Sequence, residues 1–179
     1  MDLEVREMNE VMKNILTRRS TRAFSKQDIP REELEQILKA AIYAPSGMNR
    51  QTWQFTAIVN RDKIQTLAKL IEKALERKGY NFYNPSVIVL ASNERESSWA
   101  KEDNACALEN MFLAAHSFGI GSVWINQLKD ICDEPEIRNY LQEVGVPESH
   151  VVYGIAALGY AEAEAKQDVN KKGIIKIVE

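Results

Sequence analysis

Hydrophobic and polar positions follow two different periods along this chain. Apolar side chains recur at helical spacing over about residues 4–16, and again after Pro30, which suits the first turn of a helix. Trp53 to Val59 instead alternates with the period of two that is typical of a strand. A further helical pattern runs from Ile64 to Leu75, with Gly79 as a plausible C-cap. The first part of the chain therefore predicts the order helix, helix, strand, helix.

The same alternation of elements continues in the second half. The apolar run Val87–Ala91 is short and rich in β-branched residues, which favours a buried central strand. From about Trp99 to Phe118, apolar side chains cover much of the circumference of a long predicted helix, so that helix is expected to be buried on most sides. Two further strands, Gly121–Ile125 and Val151–Gly159, flank a helix from Pro135 to about Glu143.

A polar tail follows Tyr160 and closes with apolar residues at Ile174, Ile175, Ile177 and Val178. Such an ending predicts a final strand that pairs with a sheet edge, on this subunit or on a partner. Four or five strands and five helices together predict an α/β layered domain. Because no repeat or linker interrupts the pattern, residues 1–179 are expected to form a single domain, with a tail of about 161–179 that packs on the partner subunit.

Composition excludes several classes of protein. The 179 residues carry 23 Lys and Arg against 26 Asp and Glu, a formal net charge of −3, so binding to nucleic acid or to an acidic membrane is not expected. The chain has no signal-peptide pattern and no apolar run of about 18 residues, which favours a soluble, cytoplasmic protein. The two cysteines are not in CxxC spacing and the two histidines lack ligand-like neighbours, so no disulfide framework or metal site is expected.

Three guanidinium groups lie within five residues, at Arg18, Arg19 and Arg22, between two predicted helices. They repel one another unless an anion lies among them, and a phosphate suits bidentate contacts from arginine together with the hydroxyl of Ser20. The alternative is a solvated turn whose arginines pair with nearby glutamates, because short basic clusters are common at helix C-termini. These residues alone leave both interpretations open.

A second candidate segment begins at Pro45, where the preceding helix stops. Ser46, Gly47 and Asn49 present small polar groups in a loop before the aromatic strand at Trp53, and such loops often bind ligands. The alternative, which these residues alone favour, is a loop stabilised by its own Ser and Asn hydrogen bonds.

A third segment, Gly119 to Asn126, combines glycines with a tryptophan. A dinucleotide-binding fingerprint has glycines that follow a strand and open a helix, whereas these follow a helix and open a strand. The segment is therefore not such a fingerprint. His116, on the buried helix before it, is interpreted as a satisfied core or interface histidine rather than a catalytic base.

In their order and spacing these segments resemble the nitroreductase family of flavin mononucleotide (FMN) oxidoreductases. The resemblance rests on RRSxRxF at Arg18–Phe24, APSxxNxQxW at Ala44–Trp53, the helix Glu109–His116, the segment Gly119–Ile125 that it leads into, and Ala157–Tyr160. It implies an α+β fold, a layered sheet flanked by helices, in an intertwined homodimer. It also implies FMN bound at the subunit interface and NADH or NADPH as the hydride donor.

The resemblance further implies which residues bind FMN. Arg18 and Ser20, with Arg19 nearby, match the positions that hold the phosphate, and Arg22 matches a cation beside the pyrimidine edge of the ring. The loop that reaches the flavin from the other subunit matches Pro45, Ser46, Gly47, Met48, Asn49 and Gln51. The segment against the ring, with a backbone N–H directed at the reactive nitrogen, matches Trp124, Ile125 and Asn126. Late basic residues near the phosphate match Lys171 and Lys172. No catalytic side chain is implied, because the chemistry takes place on the flavin.

Two departures from the family pattern affect the site. Thr52 stands where the family loop commonly has proline, which would loosen the loop. Only Gly79 to Pro85 separates the predicted helix at Leu67 from the strand at Val87. Larger members of the family often have a longer segment here that covers the substrate, and this chain has little room for one.

The predicted function is hydride transfer from NAD(P)H to a small electron-poor acceptor, such as a nitroaromatic or a quinone, by a ping-pong mechanism. One alternative is a flavin-binding carrier or redox sensor without significant turnover. Another is a phosphate-binding interaction module that uses only the arginine loop, which would leave the other two segments without a role.

Overall fold

The computed structural model describes residues 9–163 and 170–179, and its elements follow the predicted order. Within these ranges the α-helices are α1 Glu10–Thr17, α2 Arg31–Ile42, α3 Arg61–Ala74, α4 Ala100–Ser117 and α5 Pro135–Glu143. The strands are β1 Trp53–Ile58, β2 Val87–Glu94, β3 Gly121–Ile125 and β4 His150–Gly159. Short 3-10 helices cover Gly47–Asn49 and Gln127–Asp130.

The strands form an antiparallel sheet in the order β1–β2–β4–β3, which leaves β3 at an edge. Strand β2 is central and buried on both sides, as predicted. Its alternate residues Ile88 and Leu90 pack towards α3 and α5, whereas Val87, Val89 and Ala91 pack towards α2 and α4. An antiparallel sheet with helices on both faces is the layered α+β fold that the family resemblance implies.

Helix α4 buries one broad face against the sheet and α2, rather than most of its circumference. Cys106 on the opposite side is exposed, and Leu113 and Ala114 are half-buried. The prediction of burial on most sides is therefore wrong for the single chain. The buried face consists of Ala100, Asp103, Asn104, Ala107, Leu108, Met111, Phe112 and Ala115.

Two predicted helix boundaries are also wrong. Pro30 precedes α2 as its cap residue, because the helix begins at Arg31. Helix α3 ends at Ala74, so Gly79 is not its cap; Gly79 has φ +77° and donates its N–H to the Glu72 carboxylate, at 2.8 Å. The glycine therefore shapes the turn after the helix, where a positive φ is required.

The chain ends in an exposed segment. Residues 170–179 contain no helix or strand, and their four apolar side chains are 81–99% exposed. The predicted final strand therefore does not pair with a sheet edge of its own chain, and pairing with a partner stays a prediction. The parts of the predicted first helix and of the tail that fall at 4–8 and 164–169 lie outside the described residues. Among the described residues, no helix has the length and apolar character needed to span a membrane.

Candidate functional site

The arginine loop, residues 18–24, lies against the free edge of β3. Ser20 forms a parallel bridge with Ser122, and the Thr21 N–H donates to the Ser122 carbonyl oxygen at 2.9 Å. A Cβ on Gly121 would collide with the Thr21 side chain, so a glycine permits this close approach. Two segments that the sequence presents separately are therefore joined into one structural unit.

Arg18 lies beside an aromatic pair at this junction. Its guanidinium is 6.0 Å from the centre of the Phe112 ring, whose centre is 6.2 Å from that of Trp124. The Arg18 Nε is 3.9 Å from an oxygen of the half-exposed Glu109 carboxylate. So long an ion pair in contact with solvent is weak, which allows Arg18 to bind an anionic ligand instead.

Among the other polar residues of the arginine loop, Arg19 has a structural role, whereas Ser20 and Arg22 are exposed. Arg19 Nη1 donates to the carbonyl oxygens of Leu16 and Arg18, at 2.7 and 2.9 Å, and so caps the C-terminus of α1. The contact between Arg18 and Glu109 agrees in part with the interpretation as a turn whose arginines pair with nearby glutamates, while Ser20 and Arg22 face solvent.

Trp124 is 41% exposed, although its neighbours Val123 and Ile125 are buried. The indole packs over Gly154 of β4, where a Cβ would lie 2.9 Å from the Trp124 Nε1 and 2.6 Å from the Leu108 Cδ1. The missing side chain at position 154 therefore leaves room for the indole. The result is a partly exposed flat ring next to the arginine loop.

The Ser46 loop, residues 46–52, has a strained backbone. Met48, Asn49 and Gln51 have φ of 51°, 56° and 51°, a left-handed conformation that non-glycine residues rarely adopt. The Gln51 N–H donates to the Ser46 Oγ at 3.2 Å, and the Gln51 Nε2 donates to the Asn49 Oδ1 at 2.6 Å. The loop does form hydrogen bonds of its own, as the alternative interpretation proposed, but it also stores strain.

The Ser46 loop is held at the N-terminal end of α4. The Gly47 N–H donates to the Asp103 Oδ1 at 2.8 Å, and the Arg50 guanidinium lies 5.3 Å from the Trp99 ring centre. Glu109 and Phe112, the contacts of Arg18, are six and nine residues after Asp103, or about 9 and 14 Å along the helix axis. One chain therefore places the Ser46 loop and the arginine loop at separate positions along α4.

Thr52 does not loosen the loop as the sequence suggested. Its hydroxyl donates to the Asn93 Oδ1 at 2.6 Å, and Asn93 is fully buried in β2. The hydroxyl therefore attaches the end of the loop to the sheet, a bond that a proline at this position would lack.

The remaining predicted site residues have less defined roles in the single chain. Ile125 is buried, and the Asn126 N–H donates to the Gln127 Oε1 at 3.2 Å. Lys171 and Lys172 are exposed and outside regular structure. Their predicted contacts with a phosphate stay predictions.

His116 is a satisfied histidine, as predicted. Its Nε2 is 2.8 Å from the Thr17 Oγ1, and that hydroxyl donates its proton to the Lys13 carbonyl oxygen at 2.7 Å. The imidazole Nε2 is therefore the donor to Thr17. Burial, then the charges of Arg18 and Arg19, lower the pKa of His116, so a neutral ring that ties α1 to α4 is favoured.

Three residues that the sequence analysis passed over help to form the site: Asp103, Phe112 and Gly154. The burial of Asp103 could have been predicted from the sequence. Its position in α4 lies on the same helix face as the apolar Ala100 and Ala107, which is the face expected to be buried. A buried carboxylate at such a position requires a hydrogen-bond partner, here Gly47.

Comparison with known proteins gives consistent matches. The model of the nitroreductase family matches residues 15–160. The crystal structure of a nitroreductase with bound FMN from Bacteroides fragilis is similar to this one, with a TM-score of 0.89 and 45% sequence identity. The match covers 96% of this chain and 100% of that chain. A nitroreductase with bound FMN from Desulfitobacterium hafniense is 27% identical, with a TM-score of 0.85 and the same coverage. A candidate NADH dehydrogenase/NAD(P)H nitroreductase of Archaeoglobus fulgidus is 35% identical over 163 residues, 88% of each chain.

Proposed function

Because the chain belongs to the nitroreductase family, we propose that it is an FMN-dependent oxidoreductase that passes hydride from NADH or NADPH to a small electron-poor acceptor. Nitroaromatics and quinones are the acceptor classes that such chemistry suits. Two similar solved structures contain FMN, and a curated relative carries a name for NAD(P)H-dependent activity, which supports both the cofactor and the donor.

The observation that carries the proposal is the junction between the arginine loop and β3. FMN has a phosphate at one end and a flat ring at the other, and the junction offers hydrogen-bond donors for the first and a flat indole for the second. Arg18 and Ser20 suit a phosphate, because guanidinium and hydroxyl donors form strong hydrogen bonds to its oxygens. Trp124 suits the ring, because its indole is partly exposed beside the same loop. The residues present therefore fit this cofactor.

The side chains of the site bind and orient rather than exchange protons. When bound, FMN supplies the two-electron chemistry, taking hydride from the nicotinamide and giving it to the acceptor. Arg18 and Ser20 would hold the phosphate, and Arg22 would supply a positive charge to the pyrimidine edge, which would favour the reduced form. The half-buried, neutral His116 keeps Thr17 and the start of the arginine loop in place.

The absorbance spectrum of the purified protein tests the proposal. We expect a yellow protein whose flavin band bleaches when NADH or NADPH is added without oxygen, and recovers when an acceptor follows. Bleaching without steady turnover would favour the carrier or sensor. A colourless protein that takes up no FMN would favour the phosphate-binding module.

We also propose that the working unit is a homodimer in which the Ser46 loop of one subunit meets the arginine loop of the other. Helix α1 exposes Val11, Met12, Ile15 and Leu16 by 43–69%, and the apolar tail residues are exposed still further. Exposed apolar surface of this kind is typical of an interface. The separation of the two loops along α4 also favours a site completed by a second copy.

Dimer formation can be tested by placing a charge on α1. Ile15→Glu is expected to shift the protein from dimer to monomer in sedimentation and to release FMN, because a carboxylate would be buried without a partner at the interface. Val59→Glu is the matched control, since Val59 is also apolar and exposed but lies beyond the end of β1. A wild-type monomer that still holds FMN in dilute solution would contradict the dimer.

We further propose the ping-pong mechanism, because the connection between α3 and β2, residues 75–86, is short. Without a longer covering segment, one face of the flavin is expected to stay open, and the nicotinamide and the acceptor then use it in turn. Hydride transfer requires reacting atoms about 3–3.5 Å apart, so one ligand can stack there at a time. We expect parallel double-reciprocal lines, competition between acceptor and NAD(P)H, and a broad range of acceptors. Intersecting lines would indicate a ternary complex and rule out a shared site.

A further inference from the structure

The Ser46 loop is fastened near its start to Asp103 of α4, and at its end to Asn93 of β2, which in turn bonds to Asn104 of α4. We propose that Asp103 and Asn104 are positioning residues, which act as a clamp that fixes this loop before FMN binds. The inference rests on the proposed function, because the loop is the part of the chain expected to reach the flavin of the partner subunit. Both residues are buried and act through the loop rather than on the cofactor.

The first half of the clamp holds Gly47. Asp103 is 4% exposed, and its Oδ1 accepts the Gly47 N–H at 2.8 Å. A buried carboxylate is unfavourable unless it is hydrogen-bonded, so this contact is expected to persist. On another side, a Cβ on Gly47 would lie 2.5 Å from the Trp99 ring, which shows how closely the indole approaches the backbone. Gly47 is therefore fixed both by a hydrogen bond and by packing.

The second half of the clamp holds Thr52. The Thr52 hydroxyl donates to the Asn93 Oδ1 at 2.6 Å, and the Asn93 Nδ2 donates to the Asn104 Oδ1 at 3.1 Å. The Asn104 Nδ2 in turn donates to the Ala91 carbonyl oxygen at 2.8 Å. Both asparagines are fully buried, and a satisfied buried network of this kind specifies one geometry. The end of the loop is thereby tied to β2 and, through Asn104, to α4.

The segment between the two halves explains why a clamp is useful. Met48, Asn49 and Gln51 are left-handed, and the loop's internal hydrogen bonds involve exposed residues such as Asn49 and Gln51. A strained, exposed loop would otherwise sample other conformations. Fixing its ends in advance reduces the entropy lost when a ligand binds, which strengthens binding without any direct contact.

The central experiment compares three variants with the wild type. Asp103→Ala removes the acceptor for Gly47, Asp103→Asn retains an acceptor without the charge, and Glu102→Ala removes an exposed charge from the neighbouring position of α4. Apoprotein is titrated with FMN and quenching of flavin fluorescence gives the dissociation constant. We expect Asp103→Ala to weaken binding about tenfold, and the other two variants to stay within about twofold of the wild type.

A second variant keeps the test valid if Asp103→Ala does not fold. Thr52→Val preserves the shape of the side chain and replaces the hydroxyl that reaches Asn93 with a methyl group. We expect binding about threefold to tenfold weaker, with the melting temperature of the apoprotein close to that of the wild type. The visible circular dichroism of bound flavin, which reports the surroundings of the ring, should change in Asp103→Ala and return to the wild-type form in Asp103→Asn.

Three outcomes would overturn the clamp. The first is folded Asp103→Ala or Thr52→Val protein that binds FMN as tightly as the wild type. The second is Asp103→Asn that binds as weakly as Asp103→Ala, which would assign the effect to charge rather than to the hydrogen bond. The third is a wild-type protein that binds no FMN, which would overturn the proposed function and the purpose of the clamp together. The first two leave the proposed function intact.

Discussion

Replacing Arg18 with alanine is expected to weaken FMN binding by about tenfold to a hundredfold, because a hydrogen bond to a charged group contributes about 1.5–3 kcal/mol. The guanidinium packs near Phe112, and its protein partner Glu109 is distant enough, at 3.9 Å, to be exchanged for a phosphate. The dissociation constant of FMN, measured after dialysis to the apoprotein, gives the effect directly.

Two variants serve as controls for Arg18→Ala. Glu109→Gln removes the competing carboxylate, so FMN should bind as tightly as in the wild type or more tightly. Arg31→Ala removes an exposed arginine that pairs with Glu35 on α2, and it should leave the affinity unchanged. Full flavin occupancy in dialysed Arg18→Ala would contradict the assignment of Arg18 to the phosphate.

Gly154→Ala is expected to lower the free energy of unfolding by about 1–3 kcal/mol, the usual result of adding a methyl group to a packed core. The new Cβ would lie 2.6 Å from the Leu108 Cδ1 and 2.9 Å from the Trp124 Nε1, closer than non-bonded heavy atoms approach a Cβ without displacement. Both the core and the indole beside the arginine loop must then shift. Urea denaturation at one fixed protein concentration measures the loss, and Trp fluorescence reports the displaced indole.

A double-mutant cycle identifies the contact responsible. Leu108→Ala alone should cost about 2–5 kcal/mol, because it leaves a cavity. The double variant Leu108→Ala/Gly154→Ala should lose less free energy of unfolding than the two single variants lose together, because the added methyl group occupies space that the leucine has vacated. Gly173→Ala is the control, since a Cβ there meets no atom within 4 Å among the described residues of its own chain. Costs that add within about 0.5 kcal/mol would show that the two positions do not interact.

Local periodicity was sufficient to predict the order of helices and strands but not all of their ends. Strand β2 was predicted to stop at Ala91, yet it continues to Glu94. Ser92 and Asn93 are polar, which argues against a buried strand, but the structure pairs Ser92 with His150 and Asn93 with Asn104. These partners lie 58 and 11 residues away in the sequence, outside the strand itself, so the local pattern does not reveal them.

The candidate site shows the same division between local and distant information. The sequence indicates the arginines through their clustered charge and Trp124 through motif order, whereas their adjacency depends on a bridge between Ser20 and Ser122 that no spacing rule predicts. The burial of Gly154 beneath the indole is likewise a packing relation between two strands. Asp103 differs, because its place on an apolar helix face could have indicated a buried, hydrogen-bonded acid.

The C-terminal tail shows what a hydrophobic pattern leaves open. Its apolar residues do indicate a surface to be covered, but in the single chain they are 81–99% exposed. Hydrophobic periodicity predicts that residues are buried, but it does not say whether their own chain or a partner covers them. The partner subunit therefore remains the predicted location for these side chains.

The distance between the arginine loop and the Ser46 loop along α4 has a genetic consequence. In the proposed dimer each active site takes one loop from each subunit. A subunit damaged at Arg18 and a subunit damaged at Gly47 would then form a mixed dimer with one doubly defective site and one intact site. Two inactive alleles of this gene could thus restore activity to each other when expressed in the same cell, which a protein with a self-contained site could not achieve.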